Sequence, residues 1–264
     1  MSADRSLLQP CDPDPCGVHN ESGRSELLFV ADHAGLAVPS RLGTLGLDEA
    51  RLSDHIGWDI GIHGVTEELA RSVDATYVFQ RYSRLVIDCN RRSGTPQSIA
   101  MVSDGVPVPG NAGVAEAERR ARETEILLPY QRTIERLLDA RGAEGRPVAL
   151  VAMHSCTARL HSDGRDRPWQ ISLIARDDWR LGDALAEVLA RESDLVVGIN
   201  EPYVVDPVND YTVPVHAETR GLPHVEIEIR QDLIADADGR RRWAELLGTA
   251  FPRALERMHA SATR

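Results

Sequence analysis

Two apolar runs of the sequence each end in a histidine. Residues 27–31 lead directly into Asp32 and His33, and residues 148–153 lead into His154. Such runs predict buried β-strands, and ligand sites of α/β proteins lie beyond the carboxyl ends of their strands. We therefore expect the two imidazoles to converge at one sheet edge, where they could bind a metal ion.

Asp59 is the expected third metal ligand. It falls within residues 48–71, where apolar residues recur at helical spacing, so its side chain could lean from a helix toward the strand ends. His33, Asp59 and His154 would supply two nitrogens and one oxygen, a set typical of catalytic zinc with one position open for water. His55 is the alternative ligand, because residues four apart share a helical face. A purely structural role, with local caps and polar contacts, remains the alternative for all of them.

A strict alternation of apolar and polar residues runs through residues 225–230. In a strand, this places Glu226 and Glu228 on one face, which must meet either water or a site. The functional interpretation makes Glu228, nearer the carboxyl end, the general base that activates water and later protonates the leaving amine. Glu226 is the second candidate for this role.

Several arginines crowd one short segment: Arg81, Arg84, Arg91 and Arg92. Guanidinium groups bind both oxygens of a carboxylate in plane, so a dicarboxylate substrate would fit, although pairing with acids such as Asp88 is the alternative. Asn90 and Arg91 follow the apolar run 85–89 and could face the same sheet edge as the histidines. His216 begins a short helix and could bind substrate or handle a proton.

The order of elements predicts a single α/β domain of three layers with a mainly parallel or mixed sheet. Residues 1–25, rich in Pro, Asp and Gly, predict a mobile or loosely docked arm before a domain spanning 26–264. Strands are predicted at 26–31, 76–80, 85–89, 148–153, 170–175, 195–197 and 224–230, and helices at 48–71, 115–141, 179–191 and 239–258. The aperiodic residues 91–113 are typical of a lid or binding loop.

Composition narrows the functional classes. The chain has 264 residues and a formal net charge of -11, which argues against a nucleic-acid backbone as partner and favours a small molecule. Its apolar runs are shorter than the ~20 residues that span a bilayer, so no membrane partner is expected. The acidic, proline-containing start is unlike a signal peptide, and a cytoplasmic location is the default expectation.

Taken in order, six segments resemble the N-formylglutamate amidohydrolase family. They are LLFVADHAGLAVP, DHIGWDIG, RYSRLVIDCNR, VSDGVPVPGN, VAMHSC and GLPHVEIEIRQDLI, and the resemblance runs over residues 26–246. It implies a layout like that of zinc-dependent carboxypeptidases, one Zn²⁺ per chain, and a place in amino-acid metabolism such as histidine degradation. The implied reaction is hydrolysis of the N-formyl or N-acyl amide of a carboxylate-bearing amino acid such as N-formylglutamate, releasing formate.

The resemblance also implies roles for particular residues. In the related enzyme class a His-x-x-Glu pair supplies two metal ligands, but Leu36 stands three residues after His33. The acidic ligand is therefore assigned to Asp59, while His154 matches the later histidine and Glu228 the base.

The catalytic arginine and the substrate-binding residues follow in the same way. Asn90 and Arg91 match a pair that binds a substrate carboxylate, and Arg84 matches an arginine that polarises the scissile carbonyl. Arg81 and His216 complete the expected substrate-binding set.

Two other functions fit the same residues. A zinc peptidase or cell-wall amidase would act on a larger amide and would need an open groove beneath residues 91–113, where a small substrate would need an enclosed pocket. A catalytically silent protein could keep the arginines to bind a carboxylate, and Leu36 at a ligand-like position favours this alternative.

Overall fold

The computed structural model of the chain describes residues 6–162, 164–191 and 194–262. Its strands are β1 (Cys16–His19), β2 (Leu27–Ala31), β3 (Thr76–Gln80), β4 (Val102–Ser103), β5 (Val106–Pro107), β6 (Ala149–Cys156), β7 (Ile171–Ile174), β8 (Val197–Ile199) and β9 (His224–Arg230). Its α-helices are α1 (Glu49–Leu52), α2 (Ile62–Ser72), α3 (Glu116–Arg122), α4 (Leu128–Ala143), α5 (Arg180–Leu189) and α6 (Ala237–Ala262).

Seven strands form one mixed sheet in the order β1-β3-β2-β6-β9-β7-β8. The four strands β3, β2, β6 and β9 are parallel, β1 and β7 run antiparallel to their neighbours β3 and β9, and β8 is parallel to β7. The carboxyl ends of β2, β6 and β9 therefore meet at one edge of the sheet. The predicted class, an α/β fold with a mainly parallel or mixed sheet, is confirmed.

Helices cover both faces of the sheet. Leu27 and Phe29 of β2 pack into a core with α2, α5 and α6, while Leu28 and Val30 face a second core that includes α4. Phe29 meets Phe251 of α6 edge to face, with ring centroids 5.5 Å apart. A strand buried on both faces needs apolar side chains in succession, which explains the unbroken run over β2.

The predicted helix over residues 48–71 is wrong in its middle. The chain forms the short α1, then turns, and only then forms α2, so Asp59 lies in a connecting segment rather than on a helix. Gly61, the residue before α2, has φ +83°, and a Cβ there would lie 2.2 Å from the carbonyl oxygen of Ile234. The close approach of that carbonyl therefore requires glycine and a break in the helix.

The predicted strand over residues 85–89 is also wrong, since this buried segment forms turns. Side chains from distant elements bond its carbonyl groups. Asn111 donates to Leu85 O at 2.8 Å, Arg122 to Val86 O at 2.9 Å, and Gln131 to Cys89 O at 2.6 Å. Among the described residues the segment pairs with no strand, and side chains from distant elements satisfy its buried backbone groups.

The described part of the N-terminal arm differs from the expectation of a loosely docked segment. Strand β1 pairs with β3 at the sheet edge, and Leu7 is buried in the second core. Residues 1–5 of the arm lie outside the described residues. The division into an arm and a domain over 26–264 stays a prediction.

The remaining elements lie close to their predicted positions. The helix predicted over 115–141 contains a π-helical turn, Glu123–Leu127, between α3 and α4, directly before Pro129 in the first turn of α4. The loop 91–113 carries the β4–β5 hairpin, and the strand predicted at 195–197 lies at 197–199. None of the described helices is long and apolar enough to cross a membrane.

Candidate metal centre and substrate cavity

The register of the central strands brings the candidate residues to one cavity. His154 of β6 lies opposite Glu228 of β9, and Asp32 and His33 follow β2 on the other side of β6. The cavity has a volume of about 500 Å³. It is lined by His33, His55, Asp59, Arg84, Asn90, Arg91, Gln97, His154, Ser155, Cys156, Thr157, Pro202, Tyr203, Val204, Asp206, Asn209, Asp210, Glu226 and Glu228.

Asp59 lies between the two predicted histidine ligands. Its Oδ2 is 2.8 Å from Nδ1 of His154 and 3.5 Å from Nδ1 of His33, and the two rings are 5.0 Å apart at their centroids. A backbone hydrogen bond from Asp59 N to His33 O, 2.9 Å long, fixes the connecting segment against the end of β2. The three predicted ligands thus come together although Asp59 is not on a helix.

The outer nitrogen of each histidine faces another buried carboxylate. Nε2 of His33 donates to Asp88 Oδ1 at 2.7 Å, and Nε2 of His154 lies 3.3 Å from Asp32 Oδ2. Asp32 is held in turn by a hydrogen bond of 2.5 Å from the hydroxyl of Thr212. Histidines that bind metals have this arrangement, in which a carboxylate on the far nitrogen fixes the ring and its tautomer.

These carboxylates favour positive charge between them. Burial and the Arg84 charge oppose protonation of His33, but Asp88 and Asp59 outweigh them and raise its pKa. Burial likewise opposes protonation of His154, yet Asp32 and Asp59 raise its pKa well above the ordinary value. Conversely, although burial acts against ionisation, Arg84 and His33 hold the pKa of Asp88 well below its usual range.

The residues fit a divalent metal ion. Nδ1 of His33 is buried without a hydrogen-bond partner among the described residues, and the ligand atoms of His33, Asp59 and His154 lie within 4.8 Å of one another. Tetrahedral ligands about 2.1 Å from zinc lie about 3.4 Å from each other. The 3.5 Å between Asp59 Oδ2 and His33 Nδ1 matches this spacing, whereas the 2.8 Å to His154 Nδ1 is a hydrogen-bond distance. Two nitrogens and one oxygen match the donor set of a catalytic zinc site.

Two glutamates of β9 face the cavity, as the alternation predicts. Glu226 and Glu228 are both buried, so β9 is a central strand and not a solvated edge. Burial raises the pKa of Glu228 to about 8, and Asp59 and Glu226 add to the shift against the opposing charge of His154. Its Oε2 has no hydrogen-bond partner within the described part of the chain. A carboxylate so placed is ready to accept a proton.

Arg84, predicted as a catalytic residue, and two predicted substrate-binding residues, Asn90 and Arg91, line the cavity. Arg84 donates to Asp88 Oδ2 at 2.6 Å and lies 3.8 Å from Asp59 Oδ1. Arg91 donates to Asp210 Oδ1 at 2.5 Å, and the side-chain oxygen of Asn90 accepts from the backbone beyond Asp210. These contacts connect the arginine segment to the loop before β9.

Two predicted substrate-binding residues lie elsewhere. The guanidinium of Arg81 is over the ring of Phe79, 5.5 Å from its centroid, and Arg81 does not line the cavity. His216 is buried outside the cavity and donates from Nε2 to the Gln131 side chain at 2.6 Å. Neither residue lines this cavity in the structure, because the direction of a side chain cannot be inferred from its position in a cluster, and their substrate-binding role stays a prediction.

His55, the alternative metal ligand, lines the cavity but pairs away from Asp59. Its Nδ1 is 2.9 Å from Asp54 Oδ1 and its Nε2 is 2.9 Å from Asp104 Oδ2. Asp104 also accepts the backbone N–H of His161, so His55 helps to join the β4–β5 turn to the loop after β6. The helical face that it was expected to share with Asp59 does not exist.

Sequence reasoning missed several residues of the site. Asp32, Asp88 and Asp210 were not predicted as the partners of His154, His33 and Arg91. Tyr203 also lines the cavity, and its hydroxyl accepts a hydrogen bond of 3.1 Å from Arg167. The adjacency of Asp32 to His33 at a strand end was the available signal, while nothing in the sequence linked the other pairs.

The fold and the site define a mixed α/β protein with histidine and aspartate side chains gathered at the carboxyl ends of its central strands. The chain belongs to the N-formylglutamate amidohydrolase family, whose model matches residues 25–235. This confirms the resemblance found in the six sequence segments. No curated protein matches the sequence.

Solved structures give further similarities. The gene product Atu2144 from Agrobacterium tumefaciens is 34% identical, with a TM-score of 0.91 over 96% of this chain and 99% of that chain. An N-formylglutamate amidohydrolase from Ralstonia eutropha JMP134 is 20% identical, with a TM-score of 0.70 over 94% of this chain and 100% of that chain, a likeness of fold. The succinylglutamate desuccinylase from Chromobacterium violaceum is 10% identical, with a TM-score of 0.42 over 90% and 64%.

Proposed function

We propose that this protein is a zinc-dependent hydrolase that cleaves the N-formyl or N-acyl amide of a carboxylate-bearing amino acid. One observation carries the proposal: Asp59 lies between two imidazoles whose outer nitrogens face Asp88 and Asp32. Three carboxylates, the Arg84 guanidinium, two neutral imidazoles and a divalent cation together have no net charge. Such a balance is expected where buried carboxylates surround a metal ion.

His33, Asp59 and His154 would hold the metal. When bound, zinc polarises a carbonyl oxygen and makes water a stronger nucleophile at neutral pH. Glu228, directly across from His154, would take a proton from the attacking water and deliver it to the leaving amine. Its raised pKa suits both directions of transfer, because the carboxyl group can be either protonated or ionised near neutral pH.

The arginines would bind and polarise the substrate. Arg84 lies beside Asp59, where its guanidinium could stabilise the negative charge that develops on the scissile carbonyl oxygen. Arg91 and Asn90 line the same cavity and would position the amino acid's carboxylate.

The cavity favours a small substrate over a polymer. Its volume of about 500 Å³ falls within the usual range for small-molecule pockets, about 300 to 1,000 Å³. This supports an acyl amino acid over a peptide or cell-wall amide. A silent binding protein would have no use for the unbonded Glu228 oxygen opposite His154. The cytoplasmic location and the place in histidine degradation stay predictions.

Metal analysis combined with a substrate panel tests the proposal. We expect one zinc per chain, loss of activity on chelation and recovery with zinc, measured as formate release from N-formyl amino acids. Glu228→Gln should lower kcat by about 10² to 10⁴-fold while leaving the zinc content unchanged. Glu245→Gln, on the exposed face of α6, is the matched control. Activity that persists in metal-free protein, or in Glu228→Gln, would contradict the mechanism.

A further inference from the structure

A second group of histidine and aspartate side chains lies at the rim of the cavity. It comprises Asp54 and His55 from the turn after α1, Asp104 from the β4–β5 turn, and His161 from the loop after β6. His55 is the member that lines the cavity, and the proposed reaction gives it no function. Three segments that are far apart in the sequence thus meet at one point.

His55 lies between two carboxylates. Its Nδ1 is 2.9 Å from Asp54 Oδ1, and its Nε2 is 2.9 Å from Asp104 Oδ2. A neutral imidazole has one N–H and can donate to one of these acceptors only. The other nitrogen then turns a lone pair toward a negatively charged oxygen, which is unfavourable unless a proton or a metal cation lies between them. His55 is therefore placed to attract a cation.

Asp104 determines which nitrogen of His55 is left for that cation. The backbone N–H groups of His161 and Ser162 donate to the Asp104 carboxylate at 2.8 Å and 2.9 Å and fix it beside Nε2 of His55. A carboxylate on the far nitrogen of a metal-binding histidine fixes the ring and its tautomer. The candidate metal centre has the same arrangement behind both of its histidines. When Nε2–H donates to Asp104, Nδ1 is left as a ligand atom.

Asp54 connects His55 to a second imidazole. Its Oδ2 is 3.3 Å from Nε2 of His161, and the two histidine rings are 5.1 Å apart at their centroids. One ligand atom from each of the three residues lies within 4.8 Å of the others. The 3.3 Å separation is close to the roughly 3.4 Å between tetrahedral zinc ligands. The 2.9 Å between Asp54 and His55 is a hydrogen-bond distance, and an ion would replace this contact.

We propose that Asp54, His55 and His161 form a second divalent-cation site, the rim site, with Asp104 as the carboxylate behind His55. Two imidazole nitrogens and one carboxylate oxygen suit zinc and neighbouring transition metals better than Ca²⁺ or Mg²⁺, which prefer oxygen ligands. The rim site is weaker than the buried centre, because His161 is half exposed and water screens and competes for the ion. Protein freed of unbound metal then keeps the zinc of the buried centre alone.

An ion in the rim site would join the segments around the cavity entrance. It would bind the turn after α1 to the loop after β6, and through His55 and Asp104 it would also restrain the β4–β5 hairpin. A ligand that binds the folded chain and not the unfolded one stabilises the fold by mass action. The expected role of the rim site is therefore to stabilise these segments, and it supplies no group to the reaction.

Zinc titration of the protein already loaded with one zinc per chain tests the proposal. We expect calorimetry with added Zn²⁺ to show one further ion per chain, and the thermal unfolding midpoint to rise as this ion binds. His161→Ala should weaken binding of the second ion at least about tenfold and reduce the rise in the midpoint accordingly.

His259→Ala is the matched control. The His259 side chain is as exposed as that of His161, and it too pairs through Nε2 with one carboxylate, that of Glu26. This variant should bind the second ion with unchanged affinity. Asp104→Asn provides a further variant, because it keeps an oxygen that can accept from His55 but removes the charge. It should weaken the second ion by about 10 to 100-fold.

The outcomes are independent of the proposed function, because the rim site shares no ligand with His33, Asp59 and His154. If the unaltered protein binds no second ion, or if His161→Ala binds it with unchanged affinity, the proposal is overturned and the group is an ion-pair network. If the buried centre binds no zinc, the proposed function fails, and the rim site is then tested by titration of the metal-free protein. That protein should bind one ion, and His161→Ala should weaken it.

Discussion

His33, His154 and His216 are equally buried, each with 3% of its surface exposed. Their surroundings differ, however, because His33 and His154 lie among carboxylates and His216 does not. The first two have carboxylates at both ring nitrogens. His216 has one amide partner, Gln131, and its Nδ1 has none within the described chain.

The surroundings set opposite electrostatic properties for the same side chain. Carboxylates raise the pKa of His33 and His154, whereas burial, assisted by the charge of Arg220, lowers the pKa of His216 to about 4. Burial alone therefore does not identify a metal ligand. The carboxylates around the ring make the difference. An imidazole with several carboxylate neighbours attracts a cation, whereas one without them stays neutral and serves as a structural hydrogen-bond donor.

The largest expected effect is on metal binding. His33→Ala should reduce the zinc content from one ion per chain to none and lower kcat/KM at least about a thousandfold, because the proposed metal ligand is lost. His55→Ala is the matched variant, since His55 lines the same cavity but pairs with Asp54 and Asp104, and it should retain its zinc. Elemental analysis and formate release measure both effects. If His33→Ala retained zinc and His55→Ala lost it, His55 and not His33 would be the metal ligand.

The next effect concerns the neutral histidine and the pH dependence of stability. His216 has a folded-state pKa of about 4 against about 6.5 when unfolded, so the unfolded chain binds more protons between these values. The free energy of unfolding should therefore fall by up to about 3 kcal/mol as the pH drops from 6.5 to 4. His216→Gln should remove this loss, as measured by urea denaturation across that pH range.

This prediction has an internal control. Every ionisable group other than His216 is the same in the two proteins, so the difference between the two pH profiles isolates His216. Above pH 7 the difference should be constant. Parallel profiles below pH 6.5 would show that His216 is protonated in the folded protein and would remove the contrast with His33.

The smallest expected effect tests the outer carboxylates. Asp88→Asn removes a charge but keeps an oxygen that can accept from His33, so zinc affinity should fall by about 10 to 100-fold without loss of the fold. Asp166→Asn, at an exposed loop position, should leave the affinity unchanged. Competition with a chromophoric chelator measures both. An unchanged affinity in Asp88→Asn would show that the outer carboxylate does not tune the ligand.

The sequence was most informative where the hydrophobic pattern of a single strand predicts both the strand and the residue at its end. The apolar runs of β2 and β6 and the alternation of β9 predicted the central sheet, and with it the positions of His33, His154 and Glu228. Strand direction places these residues at one edge, so the main elements of the site follow from local patterns.

Predictions failed where long-range contacts replace local patterns. Apolar spacing predicted one helix through Asp59, but the Ile234 carbonyl, far along the chain, requires the break at Gly61. The buried run after Leu85 predicted a strand, whereas Asn111, Arg122 and Gln131 satisfy its carbonyl groups. In both cases the deciding contacts come from residues far away in the sequence, and hydrophobic periodicity carries no information about such contacts.

The alternation of β9 also limits how this site can change. Val225, Ile227 and Ile229 pack into the core with α5 and α6, while the intervening glutamates face the cavity. One residue inserted early in the strand would exchange the two faces, turning both acids into the hydrophobic core and placing aliphatic side chains beside the candidate metal ligands. Surrounding loops can lengthen residue by residue, but this strand can be altered only in steps of two.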